Sequence, residues 1–155
     1  MKISGPARYK LSFDAKKFTV KCPKGTDKFC SPATSKLPKL YIVSINKKPV
    51  YVGVTKQSMR NRLRYGFTAS GRGGYYGYAW RREFTEATID IWCHENGRDT
   101  LDIETVEAEV VFLIRSAGQW PPYQTEIHFH SPTQMHREVA TAIWRTVTKN
   151  GQRET

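Results

Sequence analysis

Tyr41 and Tyr51 stand on either side of a polar turn, Arg60, Arg62 and Arg64 follow on one short segment, and Glu107 falls inside an otherwise apolar stretch. A phenol beside a cation can serve as a base, a guanidinium can hold charge developing on phosphate oxygens, and a carboxylate can hold a divalent metal. Hydrolysis of a phosphodiester asks for all three. An unperturbed tyrosine titrates near pH ~10, so a tyrosine base working at neutral pH needs a cation close by to stabilise its phenolate. Arg62 and Lys56 are the cations at hand. Spacing alone does not bring these groups together; the elements that carry them must.

LPKLYIVSI and PVYVGVT are rich in β-branched and aromatic residues and are joined by Asn46, Lys47 and Lys48, the pattern of a hairpin. If Ile45 faces Pro49 or Tyr51, facing residue numbers sum to an even value and Tyr41 and Tyr51 share a face; an odd register separates them. QSMRNRLRYGF has helical spacing with no breaker until Gly66. TASGRGGYYGYAWRR, with four glycines and three tyrosines, reads as a flexible loop with a helical turn near Trp80. ATIDIWC alternates as a third strand. TLDIETVEAEVVFLIRSAG is the longest periodic segment, and Gly118 closes it as a C-cap. At 100° per residue Ile103, Val106, Val110, Val111 and Ile114 share one stripe. Glu107 lies inside that stripe, Glu104 borders it, and Glu109 should meet solvent. A carboxylate in an apolar stripe is unfavourable unless it is paired, protonated or bound to a metal, so Glu107 is either an ion-paired core residue or a functional one.

Toward the ends the pattern is plainer. QWPPYQTEIHFH is extended, and Ser131-Pro132 opens a last helix through about Thr148. His128 and His130 alternate on the extended stretch, a spacing too sparse to define a metal site. The first 38 residues are Lys-rich and interrupted by Pro6, Gly25 and Pro32. Within them KFTVKC alternates as a half-buried strand with one basic face, or as an arm that orders on a partner.

Lys and Arg outnumber Asp and Glu by 25 to 14, and from Lys28 to Arg82 there is no acidic residue at all. A one-sign stretch repels itself unless a polyanion lies across it, which makes nucleic acid the leading partner ahead of a basic surface kept for solubility. Cys22, Cys30 and Cys93 are an odd number without C-x-x-C spacing, which argues against a disulfide framework and for a reducing, cytoplasmic setting. No stretch has the length of a signal peptide core or a membrane span. The chain is long enough for one core, with tails at 1–38 and 126–155 around a central 39–125.

The residues so assembled resemble the GIY-YIG nucleases. Lys39-Leu40-Tyr41 is similar to the family's first motif and Tyr51-Val52-Gly53 to its second. Arg62-Leu63 matches the arginine that follows on a helix, and Glu107-Ala108-Glu109-Val110-Val111 resembles the helix that carries the metal-binding glutamate. The resemblance covers roughly Lys39 to Tyr123 and implies an α+β core with a three-stranded antiparallel sheet flanked by helices. It further implies hydrolysis assisted by Mg²⁺ or Mn²⁺ on Glu107, with Tyr41 as general base, Tyr51 beside it, and Arg62 on the scissile phosphate. Lys56, Tyr65 and Gln124 would be secondary catalytic or phosphate-binding groups. Three departures stand out: Lys39 replaces a glycine, Gly66 occupies a position where the family often has His or Tyr, and Gln124 stands where an Asn is common.

Double-stranded DNA would then lie over the acid-free half of the chain, touched by Lys47, Lys48, Arg60, Arg64, Arg72, Arg81 and Arg82. A restriction-type enzyme that cuts palindromes would favour a homodimer. The alternatives are a structure-specific repair or recombination nuclease, a non-catalytic nucleic-acid-binding module on the same fold, and a protein directed at RNA.

Overall fold

A computed structural model describes residues 1–22, 25–118 and 131–153. Along them run β1 (Ile3–Phe13), β2 (Phe18–Lys21), β3 (Lys39–Ile45), β4 (Lys48–Thr55), α1 (Met59–Thr68), β5 (Glu86–His94), α2 (Leu101–Ser116) and α3 (Gln134–Arg153). The fold is α+β, built on one antiparallel sheet of order β2-β1-β5-β3-β4. Among the described residues the sheet therefore has five strands rather than the three expected. The expected strands β3, β4 and β5 form one side, and β1 and β2 extend it past β5. Of the two, only β2 is legible as KFTVKC. Gly5 and Pro6 interrupt the pattern of β1, but the ladder with β5 shifts register between Ser4 and Ala7, and this irregularity absorbs the two residues.

The turn between β3 and β4 is set by Asn46 at φ +51 and Lys47 at φ +67, the left-handed pair of a tight two-residue hairpin. Near this turn Ile45 faces Lys48, an odd register. A bulge between Val43 and Ser44 then restores the even one, so that Val43 faces Tyr51 and Tyr41 faces Gly53. Tyr41 and Tyr51 consequently project from the same face.

Both faces of the sheet are covered, which is why every residue of β3 is buried. On one face Tyr41, Val43, Ile89 and Ile91 pack with Met59, Leu63 and Phe67 of α1 and with Tyr78 and Trp80 of the loop after it. On the other, Leu40, Ile42, Val52 and Trp92 pack against Ile103, Val106, Val110, Val111 and Ile114 of α2, and α3 adds Ala140, Ile143 and Val147. The stripe read from the sequence of α2 is thus its buried face. Burying side chains such as Leu63 or Ile103 contributes about 1.5–3 kcal/mol each.

Polar groups fix the ends. The Ser58 hydroxyl accepts the Asn61 amide at 3.3 Å and caps α1, which runs on through Gly66 to Thr68 instead of stopping at the glycine. Gly118, at φ +80, donates its amide to the Arg115 carbonyl, closing α2 as expected. α3 starts at Gln134, a little later than Ser131-Pro132 suggests, because the Thr133 hydroxyl accepts the His136 amide. Asp102, in the first turn of α2, ties the layers together. Its Oδ1 lies 2.8 Å from His136 Nε2 of α3, and its Oδ2 lies 3.3 Å from His94 Nε2 at the end of β5. These two histidines hold the Asp102 carboxyl below its ordinary pKa.

Lys39 is fully buried and donates to the Ser35 and Leu37 carbonyls at 2.7 and 2.6 Å; burial lowers its pKa to about 8. The lysine in the first motif is therefore a clasp on the preceding turn. Cys22, Cys30 and Cys93 are all free thiols. Among the described residues no helix is long and apolar enough to cross a membrane.

Candidate active site

β3 delivers Tyr41 to the α1 side of the sheet, where it is completely buried. Space for its ring comes from Gly53 on β4: a Cβ there would lie 2.5 Å from the Tyr41 hydroxyl oxygen and closer still to the ring. The glycine of the second motif is thus required by the tyrosine of the first. Tyr51, half-buried, sets its ring 6.0 Å from that of Tyr41, and their hydroxyls interact. Arg62 enters from α1, with its guanidinium carbon 4.8 Å from the centre of the Tyr78 ring and Nη1 donating to the Tyr75 hydroxyl at 2.8 Å. The hydroxyls of Tyr41 and Tyr78 are 2.8 Å apart.

Tyr41, Tyr51 and Arg62 are therefore brought together by β3, β4 and α1, which their spacing alone does not establish. Two further phenols, Tyr75 and Tyr78, join them from a loop read in the sequence as flexible. The signal for Tyr78 is Gly66: a glycine on the inward side of a helix leaves a hole that another side chain must fill, and a Cβ there would collide with the Tyr78 ring.

The electrostatics depart from expectation. Burial first and the neighbouring Tyr78 second push the Tyr41 phenol well above its ordinary value of 10.0, and the nearby Arg62 charge opposes them without overcoming them. Tyr78 too is raised by burial first. Tyr51 is raised by Tyr41 first and by its own burial second, with a further upward push from Glu107. Burial also works against the Arg62 charge, but Tyr41, Tyr78 and Tyr75 outweigh it and its pKa stays above the ordinary one. A guanidinium within reach is thus not enough to give a phenolate at neutral pH while the pocket stays closed.

Glu107 is buried in α2, as the helical stripe requires, and its charge is felt at Tyr51. α2 packs on the sheet face opposite α1, so Glu107 and the cluster of Tyr41, Tyr51 and Arg62 are carried on opposite sides of the sheet, with Tyr51 on the edge strand β4. Glu104 accepts the Thr100 hydroxyl at 2.9 Å, and Glu109 is half-buried, less open to solvent than its place on the stripe predicts. A carboxylate such as that of Glu107 fits a hard divalent ion if water and phosphate oxygens complete the shell. Among the described residues no cluster of three or more His, Cys, Asp or Glu could hold a metal without such help.

The remaining candidates divide clearly. Lys56 donates to the Arg98 carbonyl at 2.7 Å rather than toward the phenols. Tyr65 is 55% exposed and stacks on Tyr75 at 4.6 Å, outside the buried cluster. Lys47, Lys48, Arg64, Arg72 and Arg82 are exposed, while Arg60 is half-buried over the rings of Phe18 and Phe29. Arg81 is buried, with Nη1 donating to the Gly66 carbonyl and Nη2 to those of Ala69 and Tyr76, because the C-terminal carbonyls of α1 need a donor. Gln124, His128 and His130 lie outside the described residues. Comparison with protein-family models, with curated proteins and with solved structures finds no match.

Proposed function

We propose that the chain is a metal-dependent endonuclease that hydrolyses phosphodiester bonds of double-stranded DNA, of restriction type and similar to the GIY-YIG nucleases. The observation that carries the reading is the convergence of Tyr41, Tyr51 and Arg62 from three separate elements, with the Glu107 charge felt at Tyr51. In this reading Arg62 holds the scissile phosphate with its planar fork, and Tyr41 takes the proton of the attacking water with Tyr51 beside it. Glu107 would hold Mg²⁺ or Mn²⁺, which supplies charge neutralisation at the phosphate. The exposed Lys47, Lys48, Arg64, Arg72 and Arg82 would follow the DNA backbone. A homodimer in the cytoplasm belongs to the same proposal, and a structure-specific repair or recombination nuclease would use the same chemistry.

A second reading, a nucleic-acid-binding module without chemistry, is favoured by one observation: Tyr41 is fully enclosed and its phenol is pushed up rather than down. Supercoiled plasmid separates the two. Wild type with Mg²⁺ should nick it, whereas wild type with chelator and Glu107→Ala with Mg²⁺ should not. Cleavage that survives either change sinks the site assignment. Salt-sensitive binding with no cleavage by the wild type selects the binding module.

A further inference from the structure

Gly66 is buried, and the space its side chain would occupy is filled by the ring of Tyr78, which arrives from the far end of the glycine-rich loop. The approach is fastened on both sides. Gly77, at φ +77, passes so close that a Cβ on it would strike the Gly66 carbonyl. That carbonyl accepts the Tyr78 amide at 3.3 Å and Arg81 Nη1 at 2.5 Å. Two close-approach glycines and a buried arginine thus hold one tyrosine in place. What they deliver to the interior is a hydroxyl 2.8 Å from that of Tyr41, on a ring lying under the Arg62 guanidinium and edge-on to Tyr51.

In the neutral pair either phenol can donate. Once Tyr41 takes on negative charge it can only accept, and the donor must then be Tyr78. A hydrogen bond to a charged acceptor is stronger than one between neutral groups, so this contact gains strength as a proton leaves Tyr41. If Tyr78 ionised instead, its charge would repel charge on Tyr41 and act with the opposite sign, the direction in which Tyr78 raises the Tyr41 phenol in the resting protein.

We propose that Tyr78 is a positioning residue for Tyr41, orienting its hydroxyl and stabilising the phenolate that Tyr41 must be before it takes the proton of the attacking water; this rests on the nuclease reading above. The plain alternative is a core tyrosine whose hydroxyl has merely found a partner.

Tyr78→Phe distinguishes them, because it keeps the ring in the Gly66 space and removes only the hydroxyl. With supercoiled plasmid and Mg²⁺, kcat at neutral pH should fall roughly 10- to 100-fold while KM for DNA stays nearly constant. The acidic limb of the pH profile should move to higher pH by about one to two units. Replacing Tyr78 by 3-fluorotyrosine, a stronger donor that fills the same space, should move the limb the other way. A Tyr78→Phe profile that coincides with wild type, or one that moves to lower pH, overturns the proposal and leaves the nuclease reading standing. A wild type that cuts no plasmid with Mg²⁺ or Mn²⁺ overturns both.

Discussion

Gly53 faces Tyr41 across the β3–β4 ladder, and the tyrosine ring occupies the volume a Cβ on the glycine would need. Gly53→Ala should therefore destabilise the protein by about 1–3 kcal/mol through overpacking, measured by urea denaturation. Combining it with Tyr41→Leu, which vacates the space, should recover part of that loss. Independent, additive effects of the two changes would show that the contact is not the cause.

The arginines should separate by burial. Arg72→Ala and Arg82→Ala should each weaken DNA binding and lower the slope of log affinity against log salt by about 1. Arg81→Met should leave that slope unchanged and instead cost about 2–4 kcal/mol of stability, because buried carbonyls at the end of α1 lose their charged donor. A reduced salt slope for Arg81→Met, measured well below its melting temperature, would place Arg81 on the DNA after all.

In the nuclease reading Tyr75 would compete with phosphate for Arg62, because its hydroxyl accepts from guanidinium Nη1, one end of the fork that would grip the phosphate. Tyr75→Phe should tighten binding of a duplex oligonucleotide roughly 2- to 10-fold at fixed salt, by fluorescence anisotropy. Weaker binding would mean that Tyr75 contacts the DNA itself.

The Asp102 bridge predicts acid sensitivity of a definite sign. The carboxyl titrates below its ordinary 3.8 in the folded protein, so the unfolded chain takes up its proton more readily. The stabilisation is present above the unfolded value and is lost as pH falls through the folded one. Unfolding free energy should decline below about pH 4 more steeply in wild type than in Asp102→Asn. Equal slopes would show that Asp102 is no better stabilised folded than unfolded.

Much of the site can be read from the sequence because it follows from short-range periodicity. The hairpin places Tyr41 and Tyr51 on one face, and the stripe of α2 singles out Glu107. What escapes is long-range. Tyr78 belongs to the site only because Gly66, elsewhere in the chain, leaves room for it, and a glycine-tyrosine loop carries no period that would show this. Arg81 adjoins Arg82 and nothing in the local sequence tells the two apart, yet Arg81 is buried and Arg82 exposed. β1 escapes because Gly5 and Pro6 imitate a break that the ladder tolerates.

The order of strands across the sheet also sets an order in time. β1 leaves the ribosome well before β5, its partner on one side, with Ile3 facing His94 and Ser12 facing Glu86. Until β5 is made, the early hairpin of β1 and β2 has only half its neighbours, and an open row of amides and carbonyls faces outward. The nascent chain completes its central seam late, and the basic side chains Arg8 and Lys10 on that waiting strand discourage pairing with a second chain in the interval.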